Sequence, residues 1–333
     1  MITTYDYIDA NKRKTVLLLV LFPVSLLFVL FVALYIAIWF VPELRVNNSS
    51  ILLQIIHSYW PFFLVCFLFS VFWMILSFYQ GNNMLLSLVN ASKADEDEID
   101  TKQVQRILEN VSITAGIPTP KLYILRREEG LNAFAVGTQE TNSAVVLTKG
   151  LIETLDNSEL EAVIAHEVAH IVHKDTQLMM IIALVIGFAT YFGYMIFRLT
   201  GGRSSRRNNG KGAGIILIIG LAFLIYGYLV APLIRLAVSR TREFEADAKS
   251  ALLTRNPQAL ISALRKIDKR PIVGIFNSTA NNNELMAPMC IGNPLRKRVS
   301  LFDALSNLSS THPPIEKRIQ ALEGMDGRDF FSY

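Results

Sequence analysis

Cysteine is scarce in this chain: Cys66 and Cys290 are the only two in 333 residues. That excludes a disulfide framework and a cysteine-rich structural metal site. Both read as unpaired packing residues, which fits a reducing compartment. Charge is thin as well. Asp, Glu, Lys and Arg make up 18% of the chain, low for a soluble domain. The formal net charge of +4 and pI near 9.0 are a mild basic excess. No segment is both basic and aromatic enough for a nucleic-acid surface, so nucleic acid is not expected as a partner. Histidine is rarer than charge, with five in the chain, yet His166, His170 and His173 fall together.

What the chain has in quantity is apolar length. Residues 16–41, 51–79, 178–197 and 213–234 carry no Asp, Glu, Lys or Arg, and a helix needs roughly 20 apolar residues to cross a bilayer. The first run is too long for a signal-peptide core, and no small-residue cleavage pattern follows it. Four such runs predict a mainly α membrane protein with about four transmembrane helices. Lys12, Arg13 and Lys14 precede the first run, and only Arg45 lies in the short loop after it. That bias places the N-terminus, and after two crossings residues 80–177, in the cytoplasm. The basic loop 201–212 (GGRSSRRNNGKG) runs against the bias and has no assigned role.

Between the runs the patterning changes. Val104, Ile107, Leu108 and Val111 recur at helical spacing until Gly116 and Pro118. Residues 121–125, 131–137 and 143–150 read as short strands. Ser158 with Glu161 three residues on reads as the capping box of the next helix. Residues 235–253 and 257–268 read as helices, 271–300 as a long loop or flap, and THPP (311–314) as the start of a last helix. The expected organisation is an N-terminal two-span hairpin (1–80), a first half-domain (81–177), a second hydrophobic hairpin (178–238) and a second half-domain (239–333).

The helix opened near residue 158 contains His166-Glu167-Val168-Ala169-His170, an H-E-x-x-H sequence. Residues i and i+4 lie about 40° apart around a helix and roughly 6 Å along it, so both imidazoles can reach one ion. Glu167 projects from a different angle and can act on a water without being a ligand. The flanking residues are apolar nearly all round, and buried titratable groups there are costly unless a metal or hydrogen bonds satisfy them. A catalytic zinc takes three protein ligands and one open position. The sequence REFEAD offers Glu243 and Asp247, again four apart. One helix face can present Glu243 to the metal and Asp247 to a histidine's second nitrogen.

HEVAH, the E-x-x-x-D of REFEAD after a hydrophobic hairpin, N-A-F ahead of the HEVAH helix, and THPP together resemble the HtpX-like membrane zinc metalloproteases. Their wider clan includes the type 1 CAAX prenyl proteases. The resemblance covers nearly the whole chain. It implies a zincin-type α+β protease domain with a small sheet, and one zinc ion held by His166, His170 and Glu243. It further implies Glu167 as general base, Asp247 behind a ligand histidine, His312 as a catalytic donor to the oxyanion, and Asn132 beside the cleft. A substrate segment is expected to pair along Asn132, Ala133 and Phe134. Arg318 is a further candidate to position His312 or a carboxylate. His57 and His173 read as structural.

The implied activity is a zinc endopeptidase of the gluzincin type in the inner membrane. It would cut membrane or misfolded proteins at the cytoplasmic face in protein quality control. Two other readings stand beside it: a prenyl-CAAX-type protease, and a non-catalytic membrane scaffold holding zinc structurally. The scaffold would need a fourth, usually cysteine, ligand and would leave Glu167 without a role.

Overall fold

The computed structural model describes residues 4–40, 50–95, 99–201, 218–227, 241–270, 291 and 313–325. The chain divides into two compact units. One comprises residues 1–12, 79–181 and 235–333; the other comprises 13–78 and 182–234.

The second unit is built from apolar helix. Helix α1 (Thr4–Phe40), α2 (Ile51–Ser58), α3 (Trp60–Leu88), α7 (Asp175–Gly201) and a short α8 (Ile218–Gly227) contribute to it. Among the described residues, three stretches are long and apolar enough to cross a membrane: Thr15–Trp39, Trp60–Leu88 and Asp175–Ile196. The fourth expected run lies mostly outside the described residues; its described part is the ten-residue α8. Side chains such as Val16, Leu17, Val20, Phe28, Val65, Leu68 and Phe72 are exposed. Each would forgo ~1.5–3 kcal/mol of burial in water, and a lipid environment removes that penalty. The inner faces hold an aromatic cluster in which Phe188 meets Phe22, Phe69, Trp73, Phe192 and Phe223. Ser25 Oγ and Tyr226 Oη hydrogen-bond at 2.8 Å.

The first unit carries a four-stranded sheet of order β1-β2-β4-β3, from Ser92–Lys93, Lys121–Leu125, Ala133–Gly137 and Ser143–Thr148 in chain order. β2 and β4 are parallel; β3 lies antiparallel to β4, with Ala133 opposite Leu147 and Ala135 opposite Val145. β3 is therefore an edge strand. The helices of this unit are α4 (Ile99–Ala115), α5 (Lys149–Thr154), α6 (Asn157–Val172), α9 (Thr241–Thr254), α10 (Pro257–Lys269) and α11 (Ile315–Met325). α4 ends at Gly116, whose φ of 73° suits a residue without Cβ.

α6 is buried on nearly every face, from Leu160 to Ile171, which only a central helix can be. It packs against α4, α9, α10 and β3. Val104 and Leu108 of α4, Val145 and Leu147 of β4, Val163, Ile164 and Val168 of α6, and Ile267 of α10 share one core. The capping box differs from the expected Ser158–Glu161 pair. Asp156 is the N-cap: its carboxylate accepts the Glu159 N–H, and Glu159 accepts the Asp156 N–H. Asp caps as readily as Ser, and the helix starts two residues earlier than the apolar pattern suggested. Ser158 instead donates to Asp156 at 2.7 Å. Glu159, 3% exposed, also accepts from Ser262 and Lys266 of α10, both at 2.6 Å.

Candidate active site

α6 and α9 face each other in the first unit, and the chemistry-bearing residues lie along that contact. The i, i+4 spacing of α6 puts His166 Nε2 and His170 Nε2 3.2 Å apart. Glu243, in the first turn of α9, reaches between them: Oε2 is 3.8 Å from His166 Nε2 and Oε1 is 3.7 Å from His170 Nε2. One ligand atom from each of His166, His170 and Glu243 falls within 4.8 Å of the others. Ligand atoms about 2.0–2.1 Å from a tetrahedral zinc lie roughly 3.3 Å apart, close to this spacing.

The outer side of each ring explains why a cation fits. His166 Nδ1 is 3.0 Å from Asp247 Oδ1, and His170 Nδ1 is 2.9 Å from Asp175 Oδ2. A neutral ring facing a carboxylate through Nδ1 keeps its proton there. Both Nε2 lone pairs then converge with the Glu243 carboxylate on one point. Arg318 Nη2, 3.4 Å from His166 Nε2, is a donor aimed at the same lone pair. Such a gathering of acceptors is unfavourable alone and favourable around a cation.

Each outer carboxylate is held by an arginine. Arg318 of α11, wholly buried, grips Asp247 with two hydrogen bonds: Nε to Oδ2 at 2.8 Å and Nη2 to Oδ1 at 2.7 Å. Its Nη1 lies 3.3 Å from Glu243 Oε2. Arg242 of α9, 5% exposed, donates to Asp175 Oδ1 at 3.1 Å.

Burial and charge set the proton affinities. Burial holds the His166 imidazole down to about 4, and the Arg318 charge adds to that against the pull of Asp247. Burial also opposes a charge on His170, but its Asp175 hydrogen bond and the Glu243 and Asp175 charges prevail and raise it to about 9. A site that retains a proton so firmly is one that attracts a cation. Burial pushes Asp247 upward, but the Arg318 charge and hydrogen bonds carry it below the usual carboxylate range. Arg318 stays charged because Asp247 and Glu243 outweigh its burial. Glu167, 2% exposed, is raised by burial to about 7, with His170 acting against that rise. The Ala135 backbone of β3 also acts against that rise. Burial lowers His173, which caps the C-terminus of α6.

The structure brings His166, Glu167, His170, Glu243 and Asp247 together. Asn132, Ala133 and Phe134 lie at the start of β3, each at most 1% exposed. Asn132 Oδ1 and the Ala133 carbonyl both accept from Ile291 N–H, at 3.1 and 3.2 Å. His312, most of 271–300 and the loop 201–212 lie outside the described residues. Sequence reasoning missed Asp175 and Arg242, and gave Arg318 only a general part. One signal was available: two histidines expected to share a metal would need two outer partners, and Asp247 can serve one. The carboxylate nearest in sequence to His170 on its C-terminal side is Asp175.

The chain is similar in sequence to known proteins. A protein named Protease HtpX homolog from Dictyoglomus thermophilum is 36% identical over 326 residues, 98% of this chain and 96% of its own. A protein of the same name from Bacteroides fragilis is 34% identical over 319 residues, 94% of this chain and 96% of its own. The solved structure of Ste24p from S. mikatae aligns with a TM-score of 0.45 at 19% identity, over 88% of this chain and 61% of that one. Residues 98–326 match peptidase family M48. The chain therefore belongs to peptidase family M48 and, with its HtpX-type relatives and apolar helices, is a membrane-bound metalloprotease.

Proposed function

We propose that the chain is a zinc endopeptidase that cuts membrane or misfolded proteins at the cytoplasmic face of the inner membrane, in protein quality control. The observation that carries the zinc reading is the convergence of two imidazole Nε2 atoms and one carboxylate, each ring backed by a carboxylate through Nδ1. Two His and one Glu is a donor set that suits catalytic zinc. The cytoplasmic assignment rests on Lys12, Arg13 and Lys14 ahead of the first apolar run. We read the two hydrophobic hairpins (1–80 and 178–238) as inserted around the two halves of the protease domain (81–177 and 239–333).

His166, His170 and Glu243 would hold the ion. When bound, zinc supplies Lewis acidity, polarising the scissile carbonyl and making water more acidic. Glu167 takes the proton from the attacking water on its carboxylate and delivers it to the departing amine. Asp247 and Asp175 keep each ring in one tautomer and orientation. Arg318 holds Asp247 and steadies Glu243 through Nη1. His312 is assigned the developing oxyanion on the family likeness. The substrate is expected to lie extended along β3 at Asn132, Ala133 and Phe134.

The test uses detergent-purified protein, wild type beside Glu167→Gln, with bound zinc and casein cleavage measured together. The expected result is equal zinc in both and cleavage at least about 100-fold lower in the variant, the scale of general-base loss. Absence of zinc from folded wild type after zinc is supplied would overturn the reading, as would undiminished cleavage by the variant.

A further inference from the structure

The sheet edge beside the metal-ligand cluster is occupied by the chain itself. β3 is the edge strand, and Phe134 is in register with Val146 of β4. Alternate residues of a strand turn their backbone groups to opposite sides, so Ala133 and Ala135 face away from β4. The Ala135 backbone acts on the Glu167 carboxylate. The Ala133 carbonyl accepts from Ile291 N–H at 3.2 Å, and Asn132 Oδ1 accepts from the same N–H at 3.1 Å. The Ile291 carbonyl accepts from Arg318 Nη1 at 3.2 Å, the nitrogen that also lies 3.3 Å from Glu243 Oε2. The Ile291 side chain is 2% exposed and belongs to the core that includes Leu131, Ala133, Val163 and Ile267.

One residue thus has its N–H on the sheet edge, its carbonyl on an arginine that touches a metal-ligand carboxylate, and its side chain in an apolar pocket. These are the contacts that hold an extended peptide against an edge strand: main-chain pairing for affinity and a pocket for selectivity. We propose that Ile291 occupies the subsite of a substrate residue, as an internal competitor that a substrate must displace. The pocket it fills selects an aliphatic side chain next to the scissile bond. The inference rests on the protease reading above. It adds an occupant and a selectivity to it: the free enzyme is competent only in the fraction of molecules from which Ile291 has withdrawn, so apparent affinity falls by that fraction.

The experiment uses the intact, zinc-loaded chain in detergent, with casein and with a hexapeptide carrying one central isoleucine. Ile291→Ala is expected to lower KM by ~3-fold or more with kcat unchanged, because only the competition is relieved. The same hexapeptide with aspartate at the centre is expected to bind at least about tenfold more weakly, since a charge enters an apolar pocket. A readout free of the substitution at Ile291 is hydrogen exchange in the Glu167→Gln chain, which holds peptide without cutting it. Saturating isoleucine peptide is expected to raise exchange at Ile291 and lower it at residues 133–137. Cleavage of casein by wild type, with Ile291 still protected when peptide is bound or with no binding of the isoleucine peptide, overturns this inference alone. So does a well-folded Ile291→Ala whose KM is unchanged or raised. Failure of wild type to cleave anything at all overturns the protease reading instead.

Discussion

His166 and His170 carry the same outer assembly built in two ways. Each ring faces a carboxylate through Nδ1, and each carboxylate is held by a buried arginine. For His170 the carboxylate is Asp175, five residues along at the start of α7, held by Arg242 through one bond of 3.1 Å. For His166 the carboxylate comes from α9 and the arginine from α11, 71 residues further on, with two bonds of 2.7 and 2.8 Å. The His166 side chain is 1% exposed and that of His170 16%. The first assembly mainly orients a ring. The second also ties α6, α9 and α11 together, and through Arg318 it reaches Glu243 and Ile291. Protein stability and metal affinity should therefore depend more on the His166 side.

The largest expected effect comes from breaking that side. Arg318→Leu leaves Asp247 buried without its cation, a loss of about 3–5 kcal/mol. Arg242→Leu also breaks a buried ion pair, but one held by a single hydrogen bond, and should cost less than Arg318→Leu. Thermal melting of the metal-free chains orders the two; an equal loss would erase the distinction. Next come the carboxylates. Asp247→Asn and Asp175→Asn should each weaken metal binding by roughly 10- to 100-fold, Asp247→Asn the more. Competition with a calibrated chelator measures both.

A third prediction concerns pH in the metal-free protein. Burial raises Glu167 in the folded chain to about 7, against an ordinary value of 4.5. Between those values the folded state binds more protons than the unfolded, so this group's contribution to stability falls as pH rises through that window. Glu167→Gln lacks the slope. Its melting temperature should gain on wild type between pH 5 and pH 8, and a constant difference would refute the assignment. The smallest effect is a control away from the metal. Arg265→Met breaks an ion pair with Glu323 whose partners are 58% and 48% exposed, costing at most about 1 kcal/mol and leaving metal affinity unchanged.

The comparison also marks what could be read from the sequence. The H-E-x-x-H spacing, Glu243 and Asp247 were legible because a helix converts a four-residue spacing into a shared face. The strands at 121–125 and 143–148 and the three long apolar helices were legible from their periodicity and length. The Arg318–Asp247 grip was not. No local pattern distinguishes an arginine that will be buried from one that will stay solvated, and the pairing exists only once α11 packs beside α9. Asp175 was closer to hand, but the apolar run behind it drew attention to the membrane rather than to His170. Ile291 carries no signal at all, since nothing in the local pattern sets this apolar residue apart from its neighbours.

The most direct test of the central claim is X-ray absorption at the zinc edge on the zinc-loaded wild type, with Glu243→Ala beside it. The predicted spectrum has two imidazole nitrogens and light oxygen ligands at about 2.0–2.1 Å, with no sulfur shell. Glu243→Ala should lose one oxygen ligand or lose the ion. A sulfur shell, or a wild-type spectrum unchanged by Glu243→Ala, would contradict the assignment of His166, His170 and Glu243 as the metal-binding set.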